Sequence, residues 1–264
     1  MPTDPSALEW REEKVLIIGR ASPEPSKKHI ETVCTGGITE RGDILRLYPI
    51  PLRYLDSDSR YKLWTWAKFD IQKNPSDRRK ESYRVRDGSI KVLAQVTDPS
   101  EQFALLRSAI FPDKETLNDL YHKDWTSVGV IEIEFVDFYS KPREKTWDKS
   151  KPYVRQSLLY EKRKPLEQLP FEMRLKFKCK NNAACKLHDC SLIGWQYMEA
   201  FRNFTVRYGS PENAFVALNH KIRDRFSDRK KNSFALLGTH SRYASWMIAE
   251  LYFIEKNLPG RLFL

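Results

Sequence analysis

The chain has 264 residues, with 46 Lys and Arg against 35 Asp and Glu, a formal charge of +11 and a pI near 9.4. Its 41% hydrophobic and 12% aromatic content excludes an intrinsically disordered chain, and ten glycines and fifteen prolines without a period exclude collagen-like and low-complexity classes. No apolar run approaches the roughly 18 residues of a membrane-spanning helix. The opening MPTDPSALEWREEK has no hydrophobic signal core, so the expectation is a cytoplasmic protein without a membrane partner.

In chain order, KVLIIG at 14–19 is a compact apolar run and predicts a buried strand. HIETVCTGGI, TERGD and ILRLYPI predict a hairpin, with Gly36, Gly37 and Gly42 at turns or bulges and Pro49 and Pro51 stopping the second strand. LWTWAKFDIQK and SYRVRDGSIKVLAQV alternate enough to be strands, the latter turning at Asp87-Gly88. Asp98-Pro99-Ser100 caps a helix, EQFALLRSAIF, which Pro112 ends, and Asp113 begins a second, KETLNDLYHK. SVGVIEIEFVDFYS is a strand with Ile131, Ile133 and Phe135 on one face and Glu132 and Glu134 on the other. Residues 140–170 are polar, basic and punctuated by proline, and are expected to form a loop or linker.

The strand FEMRLKFKC follows, then a cysteine-rich loop and the helix LIGWQYMEAFRNFTVRY. Ser210-Pro211-Glu212 starts another helix through Arg225, and SFALLGTH and WMIAELYFIE close the chain as strands. The expected fold class is α+β. Residues 1–140 would form a mostly antiparallel sheet or small barrel with two short helices, and 141–264 a basic, helical, zinc-knuckle-like part.

Charge is uneven along this plan. Residues 1–140 carry 21 basic and 23 acidic side chains; residues 141–264 carry 25 and 12. Within the basic half, 141–180 holds thirteen against five and 221–231 six against two. Interleaving with aromatics points to nucleic acid, since Lys and Arg neutralise phosphates while aromatic faces stack on bases. DNA and RNA are equally compatible with this. The residues this reading selects are Arg78, Arg79, Lys80 and Arg84 in one loop, and Arg143, Lys145, Lys149, Arg155, Lys162, Arg163 and Lys164 in the polar segment. Arg223, Arg225, Arg229 and Lys230 form a third group, with Trp147, Tyr153 and Tyr160 for stacking. The acidic stretch 92–140 would be a separate, protein-facing surface.

Three of the four cysteines fall in KCKNNAACKLHDC, together with a histidine. In a reducing compartment that pattern reads as metal ligation before disulfides. Cys179, Cys185, His188 and Cys190 would make a structural Cys3His zinc site, although the single residue between His188 and Cys190 is tight. In a variant of this set, Cys34, His240 or His220 supplies the fourth ligand.

The chain contains no G-x-x-x-x-G-K-[ST], G-x-G-x-x-G, G-x-S-x-G or H-E-x-x-H. Glu132 and Glu134, with Asp77 and His240, could serve a metal-dependent nuclease, or could be the solvated face of a strand and ordinary loop residues. Arg46 and Arg53 could anchor phosphate or make a structural ion pair with Glu31. Cys34 lacks an adjacent base and reads as a buried thiol or remote ligand.

The strings PEPSKKHIETVCTGGI, RLYPIPLR, DRRKESYRV, the Cys179/Cys185/His188 group and FALLGTH resemble a family of uncharacterised bacterial proteins. That family shares E-x-V-C-x-x-G-I, R-L-Y-P-x-P-x-R, D-x-R-x-E-S-Y and C…C-x-x-H elements. The resemblance attaches no activity and marks Glu31, Cys34, Arg46, Arg53, Asp77, Arg79, Glu81, Cys185 and His188 as worth testing. The expected function is a zinc-stabilised nucleic-acid-binding protein, a subunit of a bacterial nucleoprotein or anti-phage complex. A metal-dependent nuclease and a protein-only scaffold are the alternatives.

Overall fold

The computed structural model describes residues 9–144, 146–151, 166, 168–240 and 245–257. Its first unit is built from β1 (Arg11–Arg20), the short β2 (Glu24–Ser26), β3 (Ile30–Thr39), β4 (Ile44–Ile50), β5 (Thr65–Lys73), β6 (Ser82–Val85) and β7 (Lys91–Gln95). Five of these strands close on themselves in the order β1-β3-β4-β6-β5-β1. Every pairing around the ring is antiparallel except β4 with β6. Period-two patterning explains the closure: along β5, Thr65, Ala67, Phe69 and Ile71 point inward. They meet Val15, Ile17, Val33 and Leu47 around Tyr61, whose hydroxyl pairs with that of Thr35 at 2.7 Å.

The connection to the second unit holds α1 (Pro99–Leu106), the two-residue β8 (Ile110–Phe111) and α2 (Lys114–Asp124). Both helices start where the sequence places them, Asp98 capping one and Asp113 the other. The second unit comprises β9 (Val128–Pro142), β10 (Phe171–Cys179), β11 (His188–Leu192), α3 (Trp195–Tyr208), α4 (Pro211–Ser227), β12 (Lys231–Thr239) and β13 (Trp246–Glu255). Its ring order is β9-β10-β11-β13-β12-β9, again with one parallel pair, β11 with β13.

In both units the third and fifth barrel strands are the parallel neighbours, and the fourth returns to the first. This five-stranded Greek-key connectivity is that of the OB-fold. The C-terminal half, expected as a helical, knuckle-like region, is therefore a second β-barrel. Its helices α3 and α4 are the excursion between the third and fourth strands. The strand expected to end the first region, β9, is the first strand of this barrel. His188–Leu192, expected as loop and helix start, is a strand because it pairs with β10 on one side and β13 on the other. Helix α3 then begins behind Gly194.

The barrels pack directly on one another. Leu16, Ile18 and Ile38 of the first share a core with Val128, Val130, Phe234, Leu236 and Tyr252 of the second, and Phe103 and Leu106 of α1 complete it. A glycine makes the approach possible, since a Cβ on Gly19 would lie 2.3 Å from Cδ2 of Leu236. Beside this apolar seam runs a buried polar one. Arg46 donates to the Ser127 carbonyl at 2.9 Å, while the Ser127 amide and hydroxyl each donate to the Glu81 carboxylate at 2.9 Å.

Candidate nucleic-acid interface and metal centre

Strand β10 buries Met173, Leu175, Phe177 and Cys179 and turns Glu172, Arg174, Lys176 and Lys178 outward. This alternation is legible in FEMRLKFKC. The outward row sits between β9 and β11. Arg174 donates to Asp189 at 2.8 Å and to the Ser191 hydroxyl at 2.9 Å, and the Tyr139 hydroxyl donates to Asp189 at 2.5 Å. Partial burial would raise the Asp189 pKa, but hydrogen bonds from Tyr139 and Arg174 outweigh it and hold the carboxyl below its ordinary range. The ammonium of Lys176 lies 4.9 Å from the Tyr139 ring centroid, and Lys178 is exposed. The front of the second barrel thus presents the Tyr139 ring beside Arg174 and Lys176, with Asp189 and Glu172 holding Arg174 and with Lys178 further along the strand opposite Glu134.

The basic segment 143–170 leaves from the end of β9 and returns at the start of β10, next to this row. Arg143 ties its base together, donating to the carbonyls of Leu169 at 3.0 Å and Phe171 at 3.2 Å. Trp147 is anchored to the first barrel, its indole N–H reaching Glu24 at 2.9 Å. Lys149 is exposed. Lys145, Tyr153, Arg155, Tyr160, Lys162, Arg163 and Lys164 lie outside the described residues.

At the other end of β10 a second cluster forms. Cys179 ends β10, Cys185 lies in the turn, His188 begins β11, and Glu115 projects from the first turn of α2. Their ligating atoms all lie within 4.8 Å of one another, so the group could hold a metal ion. Sγ of Cys185 is 3.2 Å from Nε2 of His188, which is 3.2 Å from Glu115. Glu115 is in turn 3.7 Å from Sγ of Cys179. Backbone amides support both sulfurs: Cys179 N–H points at Cys185 Sγ (3.0 Å) and Lys114 N–H at Cys179 Sγ (3.4 Å). Burial, with the neighbouring Cys185, pushes the Cys179 thiol up. Burial and Lys114 lower the His188 pKa against the pull of Glu115. Cys190 is not in the group. It sits two residues beyond His188, about 6.6 Å along the strand. There it packs in the apolar core opposite Leu175, where burial pushes its thiol up to about 11.

The remaining sequence-selected residues divide between the seam and the surface. Arg79 is buried, its fork on Asp77 (2.6 and 2.9 Å) and on the Thr239 carbonyl (3.0 Å), so it braces the two barrels. Arg53 pairs with Glu31 at 3.1 Å, the structural alternative of the two considered, and Arg46 lies 3.6 Å from Sγ of Cys34. Lys80 binds Asp124 at 2.7 Å, Arg84 reaches Asn74 and Ser76, and Arg78 lies over Trp125. Arg223 is held by Asp137, Arg225 lies over Phe253, and Arg229 and Lys230 are exposed. Glu132 and Glu134 point outward on β9, Asp77 is consumed by Arg79 and Ser82, and His240 follows the end of β12 and is exposed. These four do not assemble: among the described residues the one convergent His/Cys/Asp/Glu group is that of Glu115.

The acidic stretch 92–140 is threaded through both units rather than gathered on one face, with Asp113 capping α2 and Asp124 pairing with Lys80. Glu115, Tyr139, Arg174, Lys176 and Lys178 were not selected from sequence. Strand alternation could have found the cations. Glu115 is separated from the cysteines by some sixty residues and carries no local signal.

Residues 114–263 match the family described as domain of unknown function DUF8757, and residues 11–110 match domain of unknown function DUF8758. The chain belongs to the DUF8757 family. The two matched ranges correspond to the two barrels. No curated protein matches the chain. A solved structure described as a murine DNA binding protein bound with ds DNA aligns over 94% of this chain and 97% of that one, at 10% identity and a TM-score of 0.32. No helix among the described residues is long and apolar enough to cross a membrane.

Proposed function

We propose that the chain binds single-stranded nucleic acid across the front of its second barrel, along β9, β10 and β11. The observation that carries this reading is the outward row Arg174, Lys176 and Lys178 on the strand with Tyr139 on its neighbour, β10 following the basic sequence 143–170 in the chain. The second and third strands and the loop joining the first two are the surfaces through which OB-folds bind oligonucleotides and oligosaccharides. The fold alone does not choose between such ligands. Ammonium and guanidinium groups do, because they favour a polyanion, and a ring held among them suits a stacked base. A single strand exposes base faces that a duplex hides.

The test is fluorescence anisotropy of labelled single-stranded DNA, single-stranded RNA, duplex DNA and a neutral oligosaccharide with the full chain at low salt. One or both single strands should bind more tightly than the duplex, and the sugar should not bind. Failure of every nucleic acid to bind, or tighter binding of the duplex, overturns the reading.

A further inference from the structure

We infer that Glu115, Cys179, Cys185 and His188 hold one zinc ion in a closed tetrahedral site that fastens α2 to the second barrel. This stands independently of nucleic-acid binding. The donor set is two thiols, an imidazole and a carboxylate, which suits zinc and not the all-oxygen shells of calcium or magnesium. The size fits as well. With Zn–S bonds near 2.3 Å and Zn–N or Zn–O bonds near 2.0–2.2 Å, the edges of a tetrahedron come to roughly 3.3–3.8 Å. The corresponding distances are 3.2 Å from Cys185 Sγ to His188 Nε2, 3.2 Å from His188 Nε2 to Glu115 Oε1 and 3.7 Å from Cys179 Sγ to Glu115 Oε2, and the four ligating atoms lie within 4.8 Å of one another, so binding draws the group together slightly.

The surroundings are those of a ligand shell. Amide N–H groups of Cys179 and Lys114 point at the two sulfurs, which stabilises thiolate charge. Asn182, in the turn between the cysteines, donates to Asp113 at 2.9 Å, and Asp113 caps α2, so the turn and the helix are fixed to each other beside the ion. Four protein ligands leave no open position, which makes the site structural rather than catalytic.

The fourth ligand gives the site a consequence beyond its own loop. Glu115 lies in the first turn of α2. At the other end of that helix Asp124 pairs with Lys80, and the Trp125 carbonyl accepts the Lys80 amide at 3.3 Å. Lys80 belongs to the loop of the first barrel that also carries Asp77 and Arg79. The ion therefore anchors one end of a helix whose other end is moored to the first barrel.

The test is zinc content of the purified full chain by elemental analysis, with the visible spectrum of the cobalt(II)-substituted protein and the affinity of three variants. The expected result is one zinc per chain and a cobalt spectrum with thiolate charge-transfer and tetrahedral bands. Cys190→Ser should keep wild-type affinity and Cys185→Ser should lose the ion. Glu115→Gln should bind at least about 10-fold more weakly, since even outer partners of metal ligands cost 10–100-fold. A folded, metal-free chain whose melting temperature ignores added zinc would overturn the site. So would loss of metal in Cys190→Ser with wild-type affinity in Glu115→Gln. If Cys185→Ser does not fold, the wild-type cobalt spectrum still decides, because an octahedral spectrum without thiolate bands contradicts the assignment.

Discussion

The first barrel joins its third and fourth strands through two short 3-10 turns, whereas the second joins the same two strands through α3 and α4. Between its first and second strands the first barrel has only a short loop carrying β2; the second has the long basic segment 143–170. The first spends its buried charged residues Arg46, Arg79 and Glu81 on the seam, and the second turns Arg174, Lys176 and Lys178 outward. One connectivity thus serves two purposes, because a closed barrel fixes only its inward-facing residues and leaves loops and outer rows to be equipped independently. On the proposed reading the first barrel is a platform, and the second carries the binding surface and the group that could hold a metal ion.

If the first barrel is a platform, breaking its buried polar contact with the second should cost most. Glu81→Ala leaves the buried Ser127 amide and hydroxyl without their carboxylate acceptor, at the residue whose carbonyl holds the Arg46 guanidinium. The expected loss is about 2–6 kcal/mol, from two buried donors left unsatisfied at about 1–3 kcal/mol each. Chemical denaturation should show it. Loss of less than about 1 kcal/mol would mean that the seam does not hold the barrels together.

A second test sharpens the comparison through pH. Glu250, on β13 and within reach of Gly19, is buried, and burial outweighs the Leu251 amide and the Tyr197 hydroxyl to push its pKa up to about 7. The unfolded value is near 4.5. Folding therefore binds a proton between about pH 4.5 and pH 7, and stability falls as pH rises through that window. Asp77, on the first-barrel side, has the opposite sign. Burial would raise it, but hydrogen bonds from Arg79 and Ser82 bring it to about 2, so its contribution is complete above pH 4 and lost as pH falls toward 2. Glu250→Gln should flatten the neutral limb of a melting-temperature profile and leave the acid limb unchanged. An unchanged neutral limb would remove Glu250 as its cause.

The smallest effect concerns the helix between the barrels. Asp113→Ala removes the N-cap of α2 and the acceptor of Asn182, and should cost about 1 kcal/mol in denaturation. In the zinc-loaded chain the cost should be smaller than in the chelated chain, because the ion would hold the same turn. Equal costs would argue that the metal group does not fix α2.

Element positions were largely legible in the sequence, since alternation marks β5, β9 and β10, and Asp98, Asp113 and Ser210 announce three helices by their side-chain caps. Barrel closure was not, because it depends on which strands pair, and periodicity within a strand is silent on that. The second barrel was hidden further by α3 and α4, which separate its third and fourth strands, and by β11, a short polar strand held by its neighbours. Three members of the metal group stood together in KCKNNAACKLHDC, yet the nearest fourth residue in sequence, Cys190, is turned into the apolar core. Glu115 comes within reach of the other three only because α2 packs against the β10–β11 turn. The arginines of the first barrel looked like phosphate anchors because their acceptors, Ser127 and Thr239, lie far along the chain.

The most direct measurement is single-strand affinity as a function of salt, comparing the wild type with Arg174→Ala/Lys176→Ala/Lys178→Ala. If these three groups meet phosphates, the slope of log affinity against log salt should flatten by about 2, at roughly 0.7 per phosphate neutralised, and affinity at low salt should fall. An unchanged slope and affinity in a folded triple variant would contradict binding across the front of the second barrel.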